Sequence, residues 1–180
     1  MTTYKQDLNL PSHGKRAKAE NAGTIRVKIT RSTGLFYTGD PEGFEFYLNI
    51  CPGQKVYNAT VENEDGIPPK KQVVPVEVSN EVLDAVVKLA NDKAFMSIKN
   101  DDIFPDMMMM DGNEVQIKIK SDVGSVSLDS NMLDDTLLNG FIPTSKGDFD
   151  TPIHELAAFA CEKLGITLEE DYLHDEQEEG

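Results

Sequence analysis

The strictest constraint on the fold is the alternation of apolar and polar residues over Phe44–Ile50. Four apolar side chains occupy the even positions of this segment, and three polar ones occupy the odd positions. Successive side chains of a β-strand point to opposite faces, so a period of two indicates a strand with one apolar face. The same period recurs over residues 25–30 and 115–120. Such strands are typical of an antiparallel sheet that is covered on one side.

Two other segments carry apolar residues at helical spacing. Ser79 has the side chain of an N-cap, and the stripe that follows it predicts a helix over residues 80–92. Thr151 and Pro152 resemble an N-cap followed by proline in the first helical position, and Gly165 supplies a stop signal. The second helix is therefore expected over residues 152–164.

Shorter strands are predicted over residues 55–61, 73–78, 95–98 and 125–128, whereas residues 132–138 fit neither pattern. The fold class that follows is α+β. It consists of an antiparallel sheet of about six to seven strands, with two helices packed on one face.

Charge divides the chain of 180 residues into unlike parts. The net charge is −15, but residues 1–31 hold seven basic and two acidic side chains, and residues 165–180 hold seven acidic side chains and no Lys or Arg. The body between them carries a net charge of −13. We therefore expect a flexible basic arm over 1–23, one α+β domain over 24–165 and a flexible acidic tail over 166–180.

The chain lacks the sequence signals of export and membrane insertion. The first ten residues contain no apolar core of a signal peptide, and no apolar run approaches the roughly 20 residues of a membrane helix. We expect a cytoplasmic protein, of a cell or of an infected host, with no membrane partner. Cys51 and Cys161 are then expected to be buried thiols rather than a disulfide.

No catalytic motif is complete. The glycines at 34 and 39 have the spacing of a phosphate loop, but Asp40 and Pro41 stand where Lys and Ser or Thr are needed. Asp148 and Asp150, just before His154, form the most site-like acidic pair, and whether they bind a cation stays open. The sequence therefore predicts a protein that is not an enzyme, with no cofactor and no assigned metal site.

Three segments are candidates for contact with a partner. The basic arm offers cations, a glycine-rich loop offers aromatic side chains, and a run of four methionines offers adaptable apolar ones. The candidate partner-binding residues are Lys15, Arg16, Lys18, Phe36, Tyr37, Met108 and Met110.

The charge pattern favours a non-enzymatic acidic protein-binding module that caps a basic surface of its partner, as an inhibitor, immunity or anti-defence protein does. The alternative is a structural or accessory subunit of a larger assembly, such as a viral one, whose basic arm clasps neighbouring copies. The acidic body disfavours nucleic acid, except through the arm over residues 1–31.

Overall fold

The computed structural model describes residues 23–32, 43–54, 56–63, 70–103, 114–130, 133–166 and 168. Its main element is a six-stranded sheet in the order β4-β3-β2-β1-β5-β6, in which every neighbouring pair is antiparallel. The strands are β1 (Ile25–Ser32), β2 (Phe44–Ile50), β3 (Asn58–Asn63), β4 (Lys70–Pro75), β5 (Glu114–Lys120) and β6 (Ser125–Ser130). The predicted antiparallel sheet is confirmed.

The helices in the described part of the chain pack on one face of this sheet, which confirms the predicted α+β class. Two are long and two are short, and a 3₁₀ turn over Asn100–Asp102 and a two-stranded sheet complete the fold. These elements are α1 (Asn80–Ala90), α2 (Lys93–Met96), α3 (Asp134–Asn139), β7 (Phe141–Ile142), β8 (Phe149–Asp150) and α4 (Ile153–Leu164).

The predicted start of α1 and end of α4 are right, whereas α1 ends two residues earlier than predicted, at Ala90. Ser79 Oγ accepts a hydrogen bond from the Val82 N–H at 3.3 Å, and Gly165 ends α4 with a φ of 71°. The Thr151 hydroxyl does not cap α4, since it donates to the Gly140 carbonyl at 3.4 Å. Thr151 instead belongs to the turn that ties α4 to the end of α3.

The strand predicted over residues 95–98 is wrong, because Phe95 lies in the short helix α2. Asp92 Oδ1 accepts hydrogen bonds from the Ala94 and Phe95 N–H groups at 2.8 and 3.3 Å. This cap closes a helical turn in a segment whose composition alone suits a strand. The Phe95 ring is fully buried and meets Phe149 edge to face, with centroids 6.0 Å apart.

Other boundaries shift by a few residues. The strand predicted over 55–61 is β3, and the one predicted over 73–78 is β4, which ends at Pro75 and forms an edge of the sheet. The ambiguous stretch 132–138 overlaps α3, which Gly140 ends with a φ of 77°. The predicted arm and tail lie outside the described residues, apart from residues 23, 166 and 168.

The core lies between the sheet and the helices. The side chains of the alternating strands that point toward α1 and α4 are almost completely buried, as Ile29, Phe46 and Ile117 illustrate. Both cysteines are free thiols, so the expected absence of a disulfide is confirmed. Cys161 is buried in this core, but Cys51 is only half-buried.

Candidate binding face of the sheet

The opposite face of the sheet, called here the open face, carries most of the polar side chains of the strands. Because partners in an antiparallel register share a face, the pairings arrange these side chains in rows across the sheet. One row runs from Tyr47 through Lys28 and Lys118 to Ser127. The next row toward the start of β1 contains Asn49, Arg26, Lys120 and Ser125.

These two rows place four cations together, called here the basic cluster: Arg26, Lys28, Lys118 and Lys120. Arg26 stands directly opposite Lys120, and Lys28 directly opposite Lys118. Like charges opposite each other destabilise a sheet, whereas opposite charges stabilise it. Two such pairs in succession are expected to lower the stability of the sheet, although acidic residues are abundant in this chain of net charge −15.

The two sides of the basic cluster are neutralised to different extents. Lys28 Nζ lies 3.7 Å from Glu45 and 5.1 Å from the centre of the Tyr47 ring. Its contacts with Tyr47 and then with Glu45 raise the pKa of Lys28 above its ordinary value. Lys118 and Lys120 are exposed, and neither forms an ion pair within the described chain. Their charges are thus available to a ligand.

The basic cluster lines a shallow concavity of about 420 Å³. A twisted sheet is curved, and a volume of this size lies within the range of ligand clefts, roughly 300–1,000 Å³. Most of its exposed lining is apolar, and the polar groups beside the cluster are hydroxyl and amide groups of Tyr47, Asn49, Ser125 and Ser127. The exposed fraction of Tyr47 is 40%. The four cations and these neutral donors suit an anionic group of a ligand.

The other end of the open face is acidic. Glu45 and Glu62 follow one another across β2 and β3, and Gln116 Nε2 donates to Asp129 Oδ2 at 3.5 Å. The hydrogen bond and the charge of Asp129 raise the pKa of Glu114 above its ordinary value, because two carboxylates so close cannot both ionise freely. The charge of the open face therefore changes sign along the strands, from basic at one end to acidic at the other.

The partner-binding residues predicted from the sequence all lie outside the described residues, so their roles stay predictions: Lys15, Arg16, Lys18, Phe36, Tyr37, Met108 and Met110. The acidic pair Asp148 and Asp150 is described and exposed. His154 Nδ1 lies 3.1 Å from the Thr151 carbonyl oxygen rather than turning toward them. Across the described ranges, no three His, Cys, Asp or Glu side chains converge as metal ligands.

The basic cluster was missed by sequence reasoning, although its residues were visible as the polar sides of two alternating strands. The signal would have been the equal spacing of Arg26 and Lys28 and of Lys118 and Lys120. What periodicity does not supply is that β1 and β5 are neighbours, and in which register. Only that pairing brings the two cations of β1 and the two cations of β5 together in one cluster.

Comparison with known proteins adds no relative: no protein-family model, no curated protein and no solved structure matches this chain. Within the part of the chain that the structure describes, none of the helices combines the length and the apolarity needed to cross a lipid bilayer. The open face is therefore the feature of the described chain that bears most directly on function.

Proposed function

We propose that this protein is a non-enzymatic protein-binding module that docks an acidic segment of its partner on the basic cluster. The observation that carries the proposal is the pair of like-charge contacts, Arg26 with Lys120 and Lys28 with Lys118. A departure from local folding preference is expected mainly where function requires it. An acidic ligand would turn the repulsion within the cluster into attraction to shared carboxylates.

A polypeptide fits the open face better than a nucleic acid does. A single-stranded nucleic acid is usually held by several aromatic side chains and a continuous basic groove. Within the described part of this face, Tyr47 is the exposed aromatic side chain beside the cluster, and the basic character ends at Glu45 and Asp129. A short acidic peptide can contact the four cations without meeting those carboxylates.

The acidic end of the open face supports a second candidate function, the capping of a basic partner surface. The adjacent carboxylates of Glu114 and Asp129 stand at the acidic end of the open face, where a cationic side chain of a partner would relieve their repulsion. The inhibitor role and the accessory-subunit role are both compatible with such contacts.

A fluorescein-labelled dodecapeptide of alternating Glu and Gly tests the main proposal by anisotropy at low salt. We expect K118E/K120E to weaken binding at least tenfold. The variant creates opposite-charge pairs with Arg26 and Lys28, so its sheet should remain stable. The matched control is K88E/K93E, which makes the same charge change at exposed lysines on the helical side.

Equal weakening by both variants would indicate a general charge effect and contradict the proposal. If an oligothymidine binds through the basic cluster more tightly than the peptide does, the ligand would be a nucleic acid and the proposal would be contradicted. Loss of binding between low and high salt is expected because exposed charges are screened within about 10 Å at 0.1 M salt.

A further inference from the structure

We infer that the acidic tail of the same chain, residues 169–180, occupies the basic cluster when no partner is bound. This inference rests on the proposed function and adds its regulation, since a partner must then displace the tail. The charges of the two segments are complementary: the tail contains seven acidic side chains and no Lys or Arg, whereas the cluster contains four cations. Complementary charge of this kind selects one contact over others.

The helix that precedes the tail ends beside an edge of the sheet. The Lys163 carbonyl accepts a hydrogen bond from Gln72 Nε2 at 3.0 Å, and Lys163 Nζ pairs with Glu77 at 2.7 Å. Both contacts place the end of α4 beside β4, which is an edge strand. The Ile166 N–H then donates to the Cys161 carbonyl, so the chain leaves the helix close to that edge.

The extended length of the tail can be compared with the distance to the basic cluster. From β4 to β1 the sheet order gives three steps, and each step between strands is about 4.8 Å. A chain that rounds the edge must also cross from the layer of α4 to the open face, and packed layers lie about 10 Å apart. Twelve extended residues span at most ~40 Å. Twelve residues are therefore long enough to extend from the end of α4 around the free edge to the basic cluster.

Three of the competing cations are less available to the tail. Lys71, Lys146 and Lys163 already pair with Glu62, Asp102 and Glu77, respectively. The acidic body, with a net charge of −13, repels the tail over much of the remaining surface. Because the tail is tethered, its effective concentration at the cluster is on the order of millimolar, and a weak contact suffices to occupy it.

Carbodiimide cross-linking of the full chain, followed by peptide mass spectrometry, tests this inference. The reagent activates a carboxylate, which then forms an amide bond with an amine in contact. In the monomer band we expect tail carboxylates joined to Lys28, Lys118 or Lys120 at least fivefold more often than to the exposed control lysines Lys88 and Lys93. The excess should disappear in 1 M salt.

An even distribution over all exposed lysines would overturn the inference. Cross-links found only in the dimer band would also overturn it, because the occupant would then be the tail of a second copy. A variant with every tail Glu changed to Gln and every tail Asp to Asn supplies an independent measurement. It should bind the Glu-Gly dodecapeptide about fivefold more tightly, since the competing segment no longer carries charge.

The same variant separates the two proposals. If the dodecapeptide binds through the basic cluster with unchanged affinity after neutralisation of the tail, the proposed function stands and the inference about the tail fails. If the neutralised variant does not bind the dodecapeptide at the cluster, both proposals fail.

Discussion

Lys28 and Lys118 lie directly opposite each other on adjacent strands, with both side chains on the open face. We expect this pair to reduce the stability of the sheet, because like charges in opposite positions repel. A double-mutant cycle with K28T, K118T and K28T/K118T isolates that interaction from the β propensity of threonine. The predicted coupling is unfavourable by about 0.5 kcal/mol in urea unfolding at low salt. A favourable coupling, or one that does not shrink in 1 M salt, would contradict it.

Gly140 is expected to be intolerant of any side chain. Its φ is 77°, and a Cβ at this position would overlap the imidazole of His154. We predict that G140A lowers the free energy of unfolding by about 1–3 kcal/mol, the usual range for strain of this kind. Gly147 is the matched control, since its φ is also positive but no atom lies within 4 Å of the point that an alanine methyl group would occupy. G147A should cost clearly less, and equal losses in thermal unfolding would refute the role of His154.

Thr30 carries a buried hydroxyl that, within the described residues, has no hydrogen-bond partner. A buried polar group without a partner keeps its desolvation cost, so replacing it by an apolar group of the same shape removes that cost. We predict that T30V raises the free energy of unfolding by about 1 kcal/mol. Equilibrium urea unfolding measures the change, and Thr60 on the same face is a control position. A destabilised T30V would imply that the hydroxyl is paired.

Glu114 makes stability depend on pH. Asp129 raises the pKa of Glu114, so the folded chain holds this proton at a higher pH than the unfolded chain does. Stability from this group is therefore present at low pH and is lost as pH rises through the pKa of the folded state. E114Q should be more stable than the wild type at pH 7 by about 0.3 kcal/mol, the size of an exposed charge pair. This gain should vanish below the ordinary pKa of 4.5. A gain of equal size at both ends of the pH range would exclude the carboxyl pair as its cause.

The fold was predictable where a single strand or helix contains its own signal. The alternation in β2 and the stripe of α1 indicate both the element and its buried face. The segment around Phe95 was not predictable in this way, because its conformation depends on one hydrogen-bonded cap from Asp92. The predicted N-cap role of Thr151 was wrong for a similar reason. Its hydroxyl donates a hydrogen bond to the Gly140 carbonyl, which belongs to a different turn.

The candidate site was less predictable than the fold. Each half of the basic cluster was visible on its own strand, but a charge pattern with a period of two only indicates a solvated face. The combination arises from the register between β1 and β5, and register is determined by the whole buried face rather than by the polar one. The contacts predicted for the arm and for the methionine run depend on residues outside the described ranges.

The position of β1 at the centre of the sheet has a consequence for folding. Strands β1 to β4 follow one another as a meander of local antiparallel pairs, whereas the pairing of β1 with β5 closes a long loop that contains β2, β3, β4 and α1. Closing long loops is slow compared with forming local hairpins. The hairpin of β5 and β6 is therefore expected to dock late, and that step assembles the basic cluster. We expect a nascent or partly folded chain to lack the basic cluster, so the proposed binding would report completion of the sheet.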